Sequence, residues 1–239
     1  MKVTAHYGRL LGAFLALMLL SACTTSPPEQ VDNVCDIFLE KSGWYEDAKE
    51  SRARWNVPVS VSMAFMYQES RFVATAKPPR KKLFGVIPGP RPSDAYGYSQ
   101  AKNSTWEWYQ RSSGNYGADR DNFGDAIDFI GWYNDMSHQQ LGLDKQDAFR
   151  LYLAYHEGHG GYKRQTYQSK SWLVDVARKV ERQAQRYNTQ LQGCSKELEP
   201  RGMFAVCSPH APRDTQDRAE RHLVYQALAA DATYRCTSQ

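Results

Sequence analysis

Apolar residues recur at helical spacing along most of the chain between residues 44 and 191. Steps of three and four residues place them on one face of a helix, and six segments show this pattern. The marker pairs of the six segments are Trp44 and Trp55, Val61 and Phe65, Trp106 and Tyr109, Phe123 and Tyr133, Ala148 and Tyr155, and Trp172 and Leu191. No segment alternates convincingly as a strand. The pattern predicts one all-α domain over residues 35–195.

Proline and capping residues set the ends of several predicted helices. Pro58 fits the first turn of the second helix, because proline lacks an N–H that this turn would leave unpaired. The third helix can begin at a cap formed by Asn103 or Ser104, and Asp144 is predicted to cap the fifth. These boundaries place Glu69 near the C-terminal end of the second helix.

Two stretches depart from the helical pattern. Residues 77–94 contain five of the eleven prolines and five lysines and arginines, so we expect a proline-rich basic loop insertion between the second and third helices. Residues 196–239 carry few large apolar residues. They are predicted to form a loosely attached C-terminal tail, to which the sequence assigns no role.

Size and charge exclude two classes of protein. The 239 residues are 41% hydrophobic, which suffices for one core. The chain carries 30 Lys plus Arg and 26 Asp plus Glu, and the first 22 residues hold two of those cations and no acid. The remaining body is nearly neutral, which argues against a nucleic-acid-binding protein. The longest apolar run, residues 10–20, is too short to span a bilayer, so a multi-span membrane protein is excluded.

The N-terminus has the order of a secretory signal. Lys2 and Arg9 precede the apolar run, and small residues follow it. The sequence LSAC at residues 20–23 resembles the bacterial lipobox, which implies a signal peptide over residues 1–22 and acylation of Cys23. Thr24 after that cysteine implies delivery to the outer membrane, with the protein lipid-anchored and facing the periplasm. Residues 23–34 then form the lipidated cysteine and a polar tether.

The other four cysteines become meaningful in an exported protein, because disulfides persist in the periplasm. Cys35 and Cys194 flank the predicted domain, and we expect them to form a disulfide that ties its two ends together. Cys207 and Cys236 could pair within the tail. Four cysteines allow three arrangements, and sequence alone does not choose among them.

Three short segments carry candidate chemistry. They are QESRF at residues 68–72, GYSQ at residues 97–100 and AYHEGHGGY at residues 154–162. Each is weak alone, since a glutamate at a helix end is usually a solvated charge. Their order in an exported helical chain resembles the soluble lytic transglycosylase family, over roughly residues 40–190. The resemblance implies a lysozyme-like fold and cleavage of peptidoglycan glycan strands between N-acetylmuramic acid and N-acetylglucosamine.

The resemblance implies roles for individual residues. Glu69 becomes the catalytic acid and base. Gly97 and Gln100 match the fixed ends of the family's Gly-Leu-Met-Gln element, and Tyr155 matches the tyrosine of its Ala-Tyr-Asn-Ala-Gly element. Both elements line the saccharide groove, and Gln100 and Tyr155 are expected to donate hydrogen bonds to the sugar. Tyr162 is expected to offer a ring face to a sugar.

The sequence also departs from the family pattern. Tyr98 and Ser99 replace Leu and Met, and His156 and Glu157 replace Asn and Ala. We expect Tyr98 to be a further sugar-facing ring, with Ser99 and His156 also at the substrate. These changes indicate a divergent branch of the family.

Glu69 suits acid catalysis on physical grounds as well. Glycosidic cleavage needs a proton delivered to the leaving oxygen, so the acid must stay protonated near neutral pH. Burial against Phe65, Met66 and Phe72, and the negative end of a helix, would both raise its pKa. The resemblance implies that the substrate's acetamido group assists departure. Deprotonated Glu69 then takes the proton of the muramyl C6 hydroxyl, which closes a 1,6-anhydro ring without water.

Other functions are compatible with the sequence. A hydrolytic muramidase of the same fold would use Glu69 as acid and Glu157, Asp94 or Asp125 to activate water. A non-catalytic peptidoglycan-binding lipoprotein would keep only the groove.

His156, Glu157 and His159 resemble a zinc motif only loosely, because the two histidines are three rather than four residues apart. We therefore expect no metal and no cofactor. The basic insertion is either a solvated loop or a surface for peptidoglycan carboxylates or anionic lipid. Its cations are Lys77, Arg80, Lys81, Lys82 and Arg91.

Overall fold

The computed structural model of the chain describes residues 26–80, 82–83 and 87–199. Within these residues the backbone forms seven α-helices, one short 3₁₀ helix and one pair of two-residue strands. The helices are α1 (Val34–Glu40), α2 (Trp44–Trp55), α3 (Val59–Ser70), α4 (Asn103–Ser113), α5 (Phe123–Leu141), α6 (Ala148–Lys163) and α7 (Ser171–Leu198), with the 3₁₀ helix at Thr166–Ser169. The prediction of an all-α fold is confirmed.

Helix α5 is the central helix, and α2, α3, α4 and α6 all pack against it. It is apolar on more than one face, which is the pattern of a helix buried in a core. A small residue permits the closest approach, since a Cβ at Gly131 would lie 2.6 Å from the Ser51 hydroxyl of α2. At its start, Phe123 stacks on Trp44 with ring centroids 3.9 Å apart. The two helices that carry the site, α3 and α6, are thus fixed to one frame.

The long helix α7 closes the domain against α1, α3 and α6. Its buried stripe runs from Leu173 through Val180 to Tyr187. The sequence predicts Trp172 on this stripe, but it is 55% exposed, because it directly precedes Leu173 and so lies on a neighbouring face of the helix. A disulfide joins Cys35 of α1 to Cys194 of α7, which is the pairing expected from the sequence. A covalent link across 159 residues restricts the unfolded chain and so favours the folded state.

The basic insertion is non-helical, as expected, but it contains a strand pair that the sequence did not indicate. Strand β1 (Lys82–Leu83) pairs antiparallel with β2 (Ile87–Pro88). Two residues are too few for any alternation of polar and apolar positions to be visible. At the base of the insertion the Arg91 guanidinium donates a hydrogen bond to the Pro78 carbonyl oxygen, which joins its two arms.

Two helix starts differ from prediction. Helix α6 is capped by Asp147, whose carboxylate accepts the Arg150 N–H at 2.9 Å, rather than by Asp144. Asp144 instead accepts the Gln146 N–H, so it closes the turn before the helix. Helix α4 begins at Asn103 with Lys102 in the cap position. At each helix start, several side chains that could cap the first turn lie within a few residues of each other. The local sequence does not indicate which of them takes the cap position.

Helix α1 and the segment before it are more ordered than the tether expected over residues 23–34. Pro28 is buried, and the Val31 carbonyl oxygen accepts the Tyr187 hydroxyl of α7. The backbone N–H of Val34 donates to the Gln190 side chain at 3.0 Å. The described part of the tether therefore packs on the domain.

The compact unit that contains the helices ends at Leu198. Several predictions concern residues outside the described ranges, namely the signal peptide, the lipidated Cys23, most of the tail and the pairing of Cys207 with Cys236. Among the described residues, no helix combines the length and apolarity needed to cross a membrane.

Candidate active site

Glu69 lies in the last turn of α3, where the chain turns sharply away. Arg71 and Phe72 both adopt left-handed backbone conformations, with φ of 53° and 60°. Two successive non-glycine residues in this region are uncommon, and such strain persists only where the surroundings enforce it. Phe72 is fully buried, with its ring 6.0 Å from that of Trp44. This anchor fixes the helix end and therefore the position of Glu69.

Aromatic rings from α3 and α6 surround Glu69. Phe65 lies one turn before it on α3, and its ring meets those of Tyr152 and Tyr155 edge-on, each at 5.3 Å. Tyr152 lies near enough to the Glu69 carboxyl group for each to influence the pKa of the other. Within the described residues no lysine, arginine or histidine forms an ion pair with Glu69.

This environment changes the acidity of Glu69. Burial disfavours the carboxylate and raises the pKa of Glu69 to about 7, although the neighbouring Tyr152 hydroxyl lowers it in part. The side chain keeps partial exposure to solvent. The group is therefore able to hold a proton near neutral pH and still to release it, and it remains within reach of a ligand.

Tyr155 connects the third motif to the second. Its hydroxyl donates a hydrogen bond to the Ser99 backbone carbonyl oxygen at 2.6 Å. Burial, together with the nearby Glu69, raises the pKa of Tyr155 well above its usual value, so the phenol stays neutral. The side chain of Ser99 is fully buried, so Ser99 contributes to this contact through its backbone.

The segment at residues 97–100 is a tight turn held by its own polar groups. A Cβ at Gly97 would lie 2.1 Å from the Arg120 carbonyl oxygen, and its φ of +79° also favours glycine. The Gln100 side-chain amide donates to the Ala76 and Gly97 carbonyl oxygens at 3.0 and 2.8 Å. Both amide hydrogens of Gln100 are thus engaged within the protein. In this structure the side chain holds the turn that Tyr155 contacts through Ser99.

Tyr98 lies in the core instead of the groove. It is 1% exposed, and its ring packs edge-on against Trp44 and Phe123 at 5.8 and 6.0 Å. The ring is not available to stack on a sugar, which corrects that expectation. The turn at Gly97 directs residue 98 inward, because the Tyr98 N–H is bonded to the Arg120 carbonyl oxygen.

Glu157 has surroundings of a different kind. Its side chain is 3% exposed and forms an ion pair with Lys170 at 2.7 Å. It also accepts hydrogen bonds from the Thr166 hydroxyl and, at 3.1 Å, from His156 Nδ1. Although burial alone would raise it, these donors, led by Lys170, lower the pKa of Glu157 to about 2. Glu157 is a fixed anion that joins α6 to the 3₁₀ helix and to the residue before α7.

Two aromatic pairs lie near this end of α6 and remain accessible. The exposed His156 ring meets Trp172 edge-on at 5.2 Å, and Tyr162 stacks on Tyr167 at 5.3 Å. His156 and Tyr162 thus have the exposure that a substrate contact requires.

The histidine-rich stretch does not form a metal site in the described part of the chain, where no group of three potential ligands comes together. His159 stacks on Tyr133 at 4.7 Å and pairs with the Ser137 hydroxyl at 2.9 Å. Gly158, with φ of 72°, bends the helix between His156 and His159.

Sequence reasoning missed two residues near the candidate site, namely Tyr152 beside Glu69 and Trp172 against the His156 ring. Tyr152 precedes Tyr155 by three residues, and this spacing, which places both on one helix face, was a usable signal. Nothing in the sequence indicates that Trp172 is exposed.

The helical domain thus holds a shielded carboxylic acid, Glu69, at the end of α3 and beside the tyrosines of α6. Residues 11–194 match the protein family described as Transglycosylase SLT domain, so the chain belongs to that family. Membership assigns it to the proteins that cleave peptidoglycan in the manner of lytic transglycosylases, with peptidoglycan as the substrate class. Comparison with curated proteins gives no significant match.

Proposed function

We propose that the protein is a peptidoglycan lytic transglycosylase that cleaves the bond between N-acetylmuramic acid and N-acetylglucosamine and leaves a 1,6-anhydromuramic acid end. The observation that carries the proposal is the state of Glu69. Its carboxyl group is shielded, has no cationic partner among the described residues, and has a pKa raised by burial to about 7. Such a group can act as an acid and later as a base at the same pH.

In the first step Glu69 gives its proton to the bridging glycosidic oxygen. The muramyl acetamido oxygen attacks C1 while the bond between C1 and the protonated glycosidic oxygen breaks. The leaving sugar therefore departs with a free hydroxyl. Glu69 is then a carboxylate, and the sugar carries a cyclic oxazolinium. The neighbouring Tyr152, which lowers the pKa of Glu69 in part, favours the new anion.

In the second step Glu69 removes the proton of the muramyl C6 hydroxyl. The C6 oxygen attacks C1, the bond from C1 to the acetamido oxygen breaks, and the 1,6-anhydro ring closes. Glu69 is protonated again, no water is consumed, and the enzyme returns to its starting state. One carboxyl group therefore suffices for both steps.

The other carboxylates considered for a hydrolytic muramidase are engaged elsewhere. Glu157 is ion-paired with Lys170, and its pKa of about 2 makes it a poor base. Asp125 accepts hydrogen bonds from the Asn115 amide and the Asp119 N–H. Asp94 accepts the Asn103 N–H at the start of α4. This distribution favours transglycosylation over hydrolysis.

The remaining site residues divide into wall and rim. Gly97, Ser99 and Gln100 would form the wall, and Tyr155, bonded to the Ser99 carbonyl, would hold it against α3. His156 and Tyr162 would contact the glycan at the accessible rim, and their exposure supports this.

We further propose that the protein is a lipoprotein of the outer membrane, anchored through Cys23 and facing the periplasm. The lipobox-like sequence motivates this, and the Cys35–Cys194 disulfide suits an oxidising compartment. Metabolic labelling with palmitate and membrane fractionation of wild type and Cys23→Ala test it. We expect label and outer-membrane association in wild type only, and equal results in both would contradict the anchor.

Mass spectrometry of sacculi digested with wild type and Glu69→Gln tests the proposed reaction. We expect anhydromuropeptides from wild type and none from the variant. Products one water heavier, with reducing ends, would indicate the hydrolytic muramidase. Binding to sacculi without any soluble product would indicate the non-catalytic binding protein. Anhydro products from Glu69→Gln would contradict the assignment of Glu69.

A further inference from the structure

Two cations lie over one aromatic ring close to the ends of the basic insertion. The Lys77 ammonium is 5.1 Å from the centroid of the Tyr96 ring, and the Arg120 guanidinium is 5.3 Å from it. Both distances are those of a cation–π contact, which holds each cation near the ring. The ring is fixed in turn, because the Tyr96 hydroxyl donates a hydrogen bond to the Asp121 carboxylate at 3.0 Å. We call Lys77, Tyr96 and Arg120 the cationic platform.

The cationic platform is bonded to the turn that would form the wall of the groove. The Ala76 carbonyl oxygen, directly before Lys77, accepts the Gly97 N–H at 2.9 Å. The Arg120 carbonyl oxygen accepts the Tyr98 N–H at 3.0 Å. The backbone contacts that hold this turn therefore also place both cations beside it.

The two cations keep unused hydrogen-bonding capacity. Lys77 is exposed and Arg120 is half-buried, and neither forms an ion pair within the described residues. The Nη1 of Arg120 donates to the Asp94 and Ala101 carbonyl oxygens at 3.2 and 2.9 Å, which fixes the guanidinium group. Its Nε and Nη2 make no hydrogen bond in the part of the chain that is described. A fixed guanidinium edge with an ammonium group nearby suits a carboxylate.

We propose that the cationic platform is a subsite for a free carboxylate of the peptidoglycan stem peptide, beside the groove that holds the glycan. The inference rests on the proposed function, which supplies peptidoglycan as the ligand. In intact peptidoglycan the lactyl group of muramic acid is joined to the peptide as an amide, so the free carboxylates belong to the peptide. The peptide branches from the glycan strand, and cations beside the groove wall can meet it while the glycan occupies the groove.

The charges around the cationic platform favour one small anionic group over an anionic lipid surface. Two exposed acids lie with the two cations, since Asp94 supplies a carbonyl oxygen to Arg120 and Asp121 accepts the Tyr96 hydroxyl. Segments that bind anionic membranes are clusters of lysine and arginine with little opposing charge. A membrane would meet both acids as well as both cations, whereas a single carboxylate needs only the cations.

The test measures binding by the full-length protein in a parent that carries Glu69→Gln, to prevent cleavage, and Cys23→Ala, to remove the proposed lipid anchor. In this parent, Lys77→Gln is compared with Lys77→Arg, which keeps the charge, and with Arg80→Gln. Arg80 is a matched control, because it is an exposed cation of the same insertion without a described cation–π contact to Tyr96. The ligands are intact sacculi, sacculi stripped of stem peptides by an amidase, and phosphatidylglycerol vesicles.

We expect Lys77→Gln to weaken binding to intact sacculi roughly three- to fivefold, which is the effect of losing one exposed charge pair. Lys77→Arg should bind like the parent because the charge remains, and Arg80→Gln should do so because its charge is not on the platform. On stripped sacculi all four proteins should bind equally, since the peptide carboxylates are gone and only lactyl carboxylates remain.

Four results would overturn the inference. Unchanged binding of Lys77→Gln to intact sacculi would exclude the contact, and an equal loss in Arg80→Gln would indicate a general effect of charge. A loss in Lys77→Gln that persists on stripped sacculi would assign the contact to the lactyl carboxylate or the sugar. A loss confined to the vesicles would indicate lipid phosphate. If wild type released no anhydro products, the proposed function would fail, but this binding comparison, which involves no cleavage, would still stand.

Discussion

The surroundings of Glu69 and Glu157 show how one chain gives two carboxyl groups opposite properties. Burial acts on both carboxyl groups to raise the pKa, and each lies near a hydroxyl group that lowers it. Glu69 has only the neutral Tyr152 beside it to lower its pKa, which is raised to about 7. Glu157 also has the Lys170 ammonium at 2.7 Å, and a pKa lowered to about 2. Whether burial produces an acid or a permanent anion therefore depends on the donors available.

The two groups also differ in what they fix. Glu157 connects α6 to Thr166 and Lys170, so it maintains the chain beyond the bend at Gly158. Glu69 has no ion pair with any described residue. A carboxylate that holds segments together is kept ionised by a cationic partner. A carboxyl group that exchanges a proton in each turnover needs neutral neighbours, which leave its pKa near the working pH.

The largest expected effect is the loss of activity in Glu69→Gln. Removing the proton donor should lower the rate of muropeptide release by roughly a thousandfold or more, because no other described group is placed to act as acid. Glu107→Gln is the matched control, since the Glu107 side chain is 62% exposed on α4. It should keep the wild-type rate. Comparable losses in both variants would remove the distinction between Glu69 and an ordinary surface carboxylate.

The second effect is a steep pH dependence. The first step requires protonated Glu69, so kcat/KM should fall tenfold per pH unit above about pH 7, in line with the raised pKa of Glu69. Sacculi turnover measured from pH 5 to pH 9 checks this, with circular dichroism at each pH to verify folding. A profile that is flat up to pH 9 in the folded protein would refute the acid role.

The third effect concerns stability. Glu157→Gln removes the anion between His156, Thr166 and Lys170, and should lower the free energy of unfolding at pH 7 by about 3 kcal/mol. The folded pKa of Glu157 is depressed, so this contribution is present above about pH 4.5 and is lost as the pH falls toward 2. Denaturant unfolding of wild type and variant at pH 7 and pH 3 should show the difference shrinking. A constant difference would indicate that the charge is not its source.

The smallest effect has the opposite sign. The folded pKa of Glu69 is raised, so wild type loses stability as the pH rises from about 4.5, where the unfolded group ionises, to about 7, a loss that Gln does not have. Glu69→Gln should therefore be more stable than wild type at pH 8, by about 2 kcal/mol after allowance for partial solvent screening. At about pH 4, below both pKa values, the advantage should nearly vanish. Equal stability at both pH values would place Glu69 in a solvated environment.

The sequence predicted the parts of the site that depend on local patterns. Helix α2 lies over Trp44–Trp55, where its markers were, and α3 ends one residue after Glu69. Both follow from periodicity and from Pro58, which act within a few residues. The family resemblance then selected Glu69 among the acidic residues.

The failures involve contacts between distant segments. Tyr98 is buried because its N–H is bonded to Arg120, and nothing in the GYSQ sequence indicates that partner. Glu157 was considered as a base, yet Lys170 and Thr166 reach it only because the chain bends at Gly158.

The contact between Gly97 and Arg120 limits how this protein can vary. A Cβ at position 97 would meet a main-chain oxygen, which has no rotamer by which to move aside. In a library of all substitutions, position 97 should therefore tolerate none, whereas the exposed rim positions His156 and Tyr162 should accept many. Gly97 therefore fixes how closely its own loop and the loop of Arg120 approach each other. An insertion or duplication between the two residues would have to preserve this close approach for the groove to form.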